Sequence, residues 1–321
     1  MTVVPCSIPE NVREKLEKQQ YRIAGNHSAV KTCTWLKHSL KGEGSCYKSK
    51  FYGIASHQCL QCTPAVIWCN LKCVFCWRSA SWYNKEPMNC KVDEPKEVID
   101  QMIEQQRKLV AGYNAHPAVP NKKYLESLNP KHAAISLSGE PTLYPKLSEL
   151  IEEFHSRDMT TFLVTNGTNP EILENLDPLP TQLYVTLIAP NKELFEKTAR
   201  PSIKNAWDKI KETIQLLPSL DTRKVIRLTL VPGYNMEQPE EYSKIFMESE
   251  AHFLEPKGFM SVGDARKRLP YEIMPRFEKI NEFSKAIVAD HELQIIDKEE
   301  DSAVTLIAKE DYSWRNLKKT E

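Results

Sequence analysis

The sequence of 321 residues is short of glycine, with 10 in all. Neither G-x-G-x-x-G nor G-x-x-x-x-G-K followed by Ser or Thr occurs. That excludes a dinucleotide-binding Rossmann turn and a P-loop, both of which need glycine where the backbone approaches phosphate. Long apolar runs are missing too: no stretch approaches the ~18 to 20 consecutive apolar residues of a spanning helix. Met1 to Pro9 lacks the basic-then-apolar plan of a signal peptide, so the expected address is the cytoplasm, with no membrane. Net charge is absent, since 43 Lys+Arg balance 43 Asp+Glu, and no cysteine follows Cys90.

What is present is a globular composition, 41% hydrophobic and 27% charged, enough to bury a sizeable core in one or two domains. The charge is uneven along the chain: residues 1–90 hold 12 Lys+Arg against 5 Asp+Glu. A basic end suits an anionic partner such as nucleic acid.

The nine cysteines are Cys6, Cys33, Cys46, Cys59, Cys62, Cys69, Cys73, Cys76 and Cys90. Crowded thiols in a long chain without a secretory signal point to metal or catalysis rather than disulfides. Cys69-Asn-Leu-Lys-Cys73-Val-Phe-Cys76 is a C-x3-C-x2-C run. Three thiolates on one short loop can hold three irons of a cubane and leave the fourth iron open, whereas structural zinc wants four ligands. A zinc knuckle with a fourth ligand elsewhere stays open on spacing alone.

Beyond this loop the apolar pattern alternates. A helix is expected over Glu94–Leu109, with Pro95 in its first turn. Gly112–Lys131 reads as a loop with a short helix. Strands are expected at His132–Ser138, Thr161–Thr165, Leu183–Ala189, Val225–Val231 and Phe253–Glu255 with Phe259–Met260, separated by helices around Glu149–Phe154, Ile203–Leu217 and Pro239–Glu250. Repeated βα units with apolar strands imply a parallel sheet, and chemistry at the strand C-termini. Those ends carry Ser138-Gly139-Glu140-Pro141, Thr165-Asn166-Gly167 and Val231-Pro232-Gly233-Tyr234-Asn235. Residues 271–321 offer a helix at Met274–Val288, strands at Glu292–Ile296 and Ala303–Ala308, and a charged tail with Trp314, Arg315, Lys318 and Lys319.

C-x3-C-x2-C with Phe75 before its last cysteine resembles the signature of the radical S-adenosylmethionine superfamily. The resemblance implies an α/β fold, an incomplete TIM-type (β/α)6 barrel. It also implies a 4Fe-4S cluster whose open iron chelates S-adenosylmethionine, the cofactor that supplies a 5′-deoxyadenosyl radical. Ser138-Gly139-Glu140-Pro141 is similar to the family's G-G-E-P element, which receives the amino group of S-adenosylmethionine. Asn166, Thr186 and Asn235 are further cofactor contacts expected from their strand-end positions.

Cys33, Cys46 and Cys59 recur at thirteen-residue steps. Together with Cys46-Tyr-Lys48-Ser-Lys50-Phe-Tyr-Gly53 and Cys76-Trp77-Arg78, they resemble the tRNA 4-demethylwyosine synthases of wybutosine biosynthesis, over nearly the whole chain. This implies a second 4Fe-4S cluster on those three cysteines, also with an open iron that chelates pyruvate. It implies condensation of pyruvate with N1-methylguanosine at position 37 of tRNA-Phe, with Lys48 as a Schiff-base lysine. Lys50 is the competitor for that role. The short segment before Cys33 resembles the stand-alone archaeal type, which draws electrons from an external flavodoxin- or ferredoxin-like donor. The expected organisation is a cluster-binding extension over 1–62, the partial barrel over 63–270 and a C-terminal cap over 271–321.

Cys6, Cys62 and Cys90 read as spare or buried thiols. Trp77 and Arg78 are expected to touch the substrate, with Trp82 and Tyr83 packed nearby. Arg266 and Lys267, with Arg268, form a basic patch near the barrel mouth, and Lys31, Lys37, Lys41, Lys72 and Lys85 are further phosphate candidates. Two other readings remain: an activase that makes a glycyl radical on a protein partner, which needs no pyruvate lysine, and a non-catalytic tRNA-binding zinc protein, which would be colourless and free of sulfide.

Overall fold

The computed structural model describes residues 5–289 and 292–317; Lys318 and Lys319 lie outside them. The chain begins with α1 (Glu10–Lys18), the hairpin β1 (Arg22–Ala24) and β2 (Ser28–Val30), α2 (Thr34–Lys41) and α3 (Tyr47–Tyr52). It continues through β3 (Cys59–Thr63), α4 (Pro95–Val110), α5 (Asn121–Ser127), β4 (His132–Ile135), α6 (Leu147–His155) and β5 (Thr160–Thr165). Next come α7 (Pro170–Glu174), β6 (Gln182–Thr186), α8 (Lys192–Ala199), α9 (Ala206–Leu216), β7 (Arg223–Leu230), α10 (Pro239–Glu248) and β8 (Phe253–Gly258). The last elements are α11 (Phe277–Ile287), β9 (Gln294–Glu299) and β10 (Val304–Ala308).

All ten strands join one sheet in the order β1-β2-β3-β4-β5-β6-β7-β8-β10-β9. The six from β3 to β8 are parallel, matching the (β/α)6 expectation. The flanks are antiparallel, β1-β2 on one side and β10-β9 on the other, so the sheet is mixed rather than wholly parallel. Two expected boundaries move. The first parallel strand, Cys59–Thr63, crosses the division drawn between 62 and 63, and β10 extends the sheet from β8 instead of forming a separate cap. β1 and β2, three residues each, are too short to read as strands by periodicity, whereas β9 and β10 overlap the strands expected at Glu292–Ile296 and Ala303–Ala308.

Among the described residues no helix is long and apolar enough to cross a membrane. α4 shows why the helices sit where they do: Pro95 presets its first turn, and Val98, Ile99 and Met102 recur on one face and are fully buried.

Side chains alternate between the two faces of a strand. One face, with Leu163, Leu183, Val185, Ile226 and Leu254, packs in the main core with the helices. The other carries Phe162, Tyr184, Val225 and Phe253, which form a second core with Tyr47, Phe51 and Tyr52 of α3. The chain segment ahead of the first parallel strand therefore folds back against the barrel's inner face. Gly53 ends α3 in a left-handed conformation, φ 76°.

A buried carboxylate fastens this arrangement. Glu255 on β8 is fully buried; it accepts hydrogen bonds from the phenols of Tyr47 (3.0 Å) and Tyr52 (2.6 Å) and faces Arg227 Nε at 3.5 Å. Arg227 is its direct neighbour across the β7–β8 pair and also donates to the Tyr47 phenol. An unpaired buried carboxylate is costly, so each donor holds α3 against the sheet. Tyr52→Phe should lower stability by about 1–3 kcal/mol, read as a lower midpoint of urea unfolding under anaerobic conditions.

Candidate active site

The loop after β3 brings Cys69, Cys73 and Cys76 together. Its backbone is tied at several points: Cys69 N–H to Asn84 O (3.0 Å), Val74 N–H to Thr198 O (2.9 Å) and Cys76 N–H to Cys73 O (3.0 Å). Arg268 donates to the carbonyls of Val74 and Cys76. Expected as part of a surface patch, Arg268 instead clamps the thiol loop. Burial pushes the thiols of Cys69 and Cys73 upward, and for both the neighbouring thiols and Glu140 add to the shift.

Ser138-Gly139-Glu140 lies against this loop. Gly139 has φ +73°, and a Cβ there would stand 1.8 Å from Ala65 O and 2.7 Å from Trp68 O, so only glycine fits. Ser138 Oγ donates to Val66 O (2.8 Å), Glu140 N–H to Trp68 O (2.7 Å), and the Tyr83 phenol lies 3.7 Å from Cys76 Sγ and 3.4 Å from Ser138 Oγ. The Glu140 carboxylate is buried and well supplied with donors. It accepts from Thr142 Oγ1 (2.7 Å), Thr142 N–H (3.2 Å), Thr165 Oγ1 (2.7 Å) and Asn166 N–H (2.8 Å), which joins the ends of β4 and β5. The Ser138 and Glu140 carbonyls accept from Thr63 Oγ1 and Leu143 N–H.

Two expected cofactor contacts are committed elsewhere. Asn235 is fully buried; its side chain accepts from Val231 N–H and donates to the carbonyls of Ile188 and Thr229, so it closes its own loop. Asn166 spends its side-chain amide on Asn70 and Thr168. Thr186 ends β6 half-buried, directly across from Arg227.

The second thiol set is assembled from three elements. Cys33 caps the start of α2, accepting from Leu36 N–H at 3.3 Å, while Cys46 precedes α3 and Cys59 opens β3. Each thiol is raised by burial, Cys46 to about 11. The Lys48 charge draws all three down, and Cys33 pushes Cys46 and Cys59 up, so the three thiols and the amine share one electrostatic neighbourhood. Cys62 follows Cys59 by an odd step on the same strand, so it points to the opposite face and lies in the main core.

Lys48 is 8% exposed, and its Nζ stands 4.3 Å from the Tyr184 ring centre and 5.1 Å from that of Phe162. Burial, then Arg227, pulls its pKa below the ordinary lysine value, which favours the neutral, nucleophilic amine. Lys50 points away and donates to Lys298 O (2.6 Å) beside Asp297 and Glu299. Lys257 on β8 is the sequence-invisible neighbour: burial and Arg227 draw it down to about 8.

Among the described residues no three His, Cys, Asp or Glu side chains are placed to hold a single metal ion. Each set of three cysteines offers the donors that three corners of a cubane would take.

Trp77 is 40% exposed, and the segment with Arg266 and Lys267 packs beside it through Asp264 N–H to Trp77 O (3.0 Å). Both basic residues are exposed, with Lys267 paired to Asp264 at 3.0 Å. Arg78 is corrected: it is buried, 3.3 Å from the Trp77 ring centre, with Nε donating to Leu137 O. It braces the loop from beneath and has no surface to offer a phosphate. Cys6 and Cys90 are not spare thiols but form a disulfide, brought together by the Pro5–Lys91 bridge. Gly139→Ala should prevent the 138–140 turn from closing, seen as loss of bound iron at the C-x3-C-x2-C loop after anaerobic reconstitution.

Comparison with known proteins agrees with this geometry. Residues 64–245 match the radical SAM superfamily and residues 248–309 match wyosine base formation. The S-adenosyl-L-methionine-dependent tRNA 4-demethylwyosine synthase of Pyrococcus abyssi is 46% identical over 309 residues, covering 95% of this chain and 90% of its own. That of Methanocaldococcus jannaschii is 40% identical over 311 residues, covering 94% and 97%. Among solved structures, TYW1 with a lysine-pyruvate adduct bound superposes with a TM-score of 0.86 at 38% identity, covering 95% of this chain and 97% of that one. Archaeal TYW1 gives 0.78 at 37% identity, covering 95% and 98%. The chain belongs to the radical S-adenosylmethionine superfamily and, within it, to the tRNA 4-demethylwyosine synthases.

Proposed function

We propose that this radical S-adenosylmethionine enzyme condenses pyruvate with N1-methylguanosine at position 37 of tRNA-Phe to form the tricyclic 4-demethylwyosine base, with Lys48 holding pyruvate as a Schiff base. The observation that carries the reading is the buried amine of Lys48, set against the rings of Tyr184 and Phe162, with its charge felt by Cys33, Cys46 and Cys59. The lysine-pyruvate adduct in the TYW1 relative supports it.

Cys69, Cys73 and Cys76 would hold the cluster of the radical chemistry, and Cys33, Cys46 and Cys59 a second one beside Lys48. When bound, the first cluster and S-adenosylmethionine supply the hydrogen-abstracting radical. The protein's own part is positional. Gly139 offers a carbonyl to the cofactor's amino group, and Glu140 sets the strand ends around it. Lys48 Nζ adds to C2 of pyruvate and water leaves, giving an imine in a site walled by aromatic rings that keep bulk water out. Trp77, Arg266 and Lys267 form an aromatic and basic rim suited to a single-stranded anticodon loop. Electrons would come from an external flavodoxin- or ferredoxin-like donor, in the cytoplasm.

Anaerobic enzyme incubated with dithionite, S-adenosylmethionine, pyruvate and tRNA-Phe bearing N1-methylguanosine should yield a tricyclic nucleoside, seen by mass spectrometry of the digest. No such product without pyruvate is the required control. Cys73→Ala should abolish S-adenosylmethionine cleavage. Lys48→Ala should still form 5′-deoxyadenosine but little tricyclic base, and borohydride should no longer trap pyruvate on the protein; undiminished trapping would transfer the role to another lysine such as Lys257. Cys46→Ala should bind about four irons per chain in place of about eight, and an unchanged count would remove Cys46 from the ligands.

A further inference from the structure

The inner face of the barrel carries more cationic side chains than the Schiff-base reading uses. Arg223 is fully engaged, donating to Gln182 Oε1 and to the carbonyls of Trp314 and Arg315. Lys257 Nζ is spent on the carbonyl of Ser302. Arg227 differs from both. Its Nε is buried and has no hydrogen-bond partner among the described residues, although Glu255 lies 3.5 Å away. That carboxylate already accepts from Tyr47 and Tyr52, and Arg227 Nη2 donates to the Tyr47 phenol, so the Arg227 charge is held in place with its Nε left unpaired. The side chain is 18% exposed, so it is not wholly enclosed by its neighbours.

Its position relative to Lys48 follows from one ring. Lys48 Nζ is 4.3 Å and Arg227 Cζ 5.5 Å from the Tyr184 centroid, which keeps the two cationic centres within about 10 Å of each other. A keto acid joined to Lys48 at C2 carries its carboxylate on the neighbouring carbon. The receptor for that carboxylate must therefore stand within a few ångströms of the lysine nitrogen. A planar guanidinium offers two parallel N–H groups to the two carboxylate oxygens, a match an ammonium cannot make.

We propose that Arg227 is the receptor for the carboxylate of the keto acid carried on Lys48, and that this contact makes the site select α-keto acids over neutral carbonyl compounds. Glu255 and Tyr47 orient the guanidinium. The inference rests on Lys48 being the Schiff-base lysine.

The test is reductive trapping at Lys48 with cyanoborohydride, located by peptide mass spectrometry on the reconstituted enzyme. Pyruvate is compared with methyl pyruvate, which has the same ketone and no charge, each normalised to its reaction with Nα-acetyl-lysine. In the native enzyme pyruvate should reach half-trapping at a concentration about tenfold or more below that of methyl pyruvate. Arg227→Gln should raise the pyruvate value by about the same factor and leave methyl pyruvate unchanged, with Arg227→Lys recovering part of the loss. Equal normalised trapping of the two compounds by the native enzyme would overturn the proposal without any variant. So would a variant that shifts both equally, which would make Arg227 a support for the lysine or the fold. Absence of trapping at Lys48 by the native enzyme would instead overturn the Schiff-base reading, and the receptor with it.

Discussion

A carboxylate stripped of water must be neutralised by its neighbours, and Glu255 is in that position on the inner face of β8. Its partners are two phenols from α3 and a guanidinium from β7. The requirement to satisfy one buried charge thus ties the N-terminal segment to the middle of the barrel sheet. α3 has six residues and buries four of them, so it has little stability apart from this contact. The place of Lys48, and of Cys46 just before the helix, depends on it.

The two thiol sets differ in how they are assembled. Cys69, Cys73 and Cys76 share one loop, and hydrogen bonds to the carbonyls of Thr198 and Asn84 and from Arg268 shape that loop from outside. Gly139 then approaches its base so closely that no side chain is tolerated. This set lies where barrel chemistry is expected, past the C-terminal ends of β3 and β4. The second set lies elsewhere: Cys59 begins β3, and Lys48 rests on Phe162 and Tyr184, residues within their strands. Strand β3 therefore links the two centres, one at its start and one beyond its end.

Some of this was legible from local pattern. The βα alternation from His132 to Glu255 gave the six parallel strands all but the first, since strong apolar periodicity survives tertiary context. The cluster loop and the Gly-Glu-Pro turn were legible because their spacing is itself the chemistry. Strand-end position could not show that the amides of Asn166 and Asn235 bond within the protein, because an asparagine looks the same whether its amide closes a loop or faces a ligand. Arg78 was misplaced for a related reason: charge suggests exposure, but the side chain is buried, its guanidinium carbon 3.3 Å from the Trp77 ring centre. Arg227 and Glu255 did leave a signal, charges at inner-face positions of otherwise apolar strands, and register alone made them neighbours.

The amino-acid sequence by itself determined the family, the three-thiol loop and the run of parallel strands, because each is written in contiguous residues whose contacts are local. Only the tertiary structure set Lys48 apart from Lys50, which lie two residues apart yet face Tyr184 and Asp297 respectively. Only it separated Cys59 from Cys62, by the face of the strand each occupies, and joined Cys6 to Cys90 across 84 positions. The reason is the same in each case: burial and charge neutralisation are properties of groups brought together by folding, and separation along the chain does not encode them.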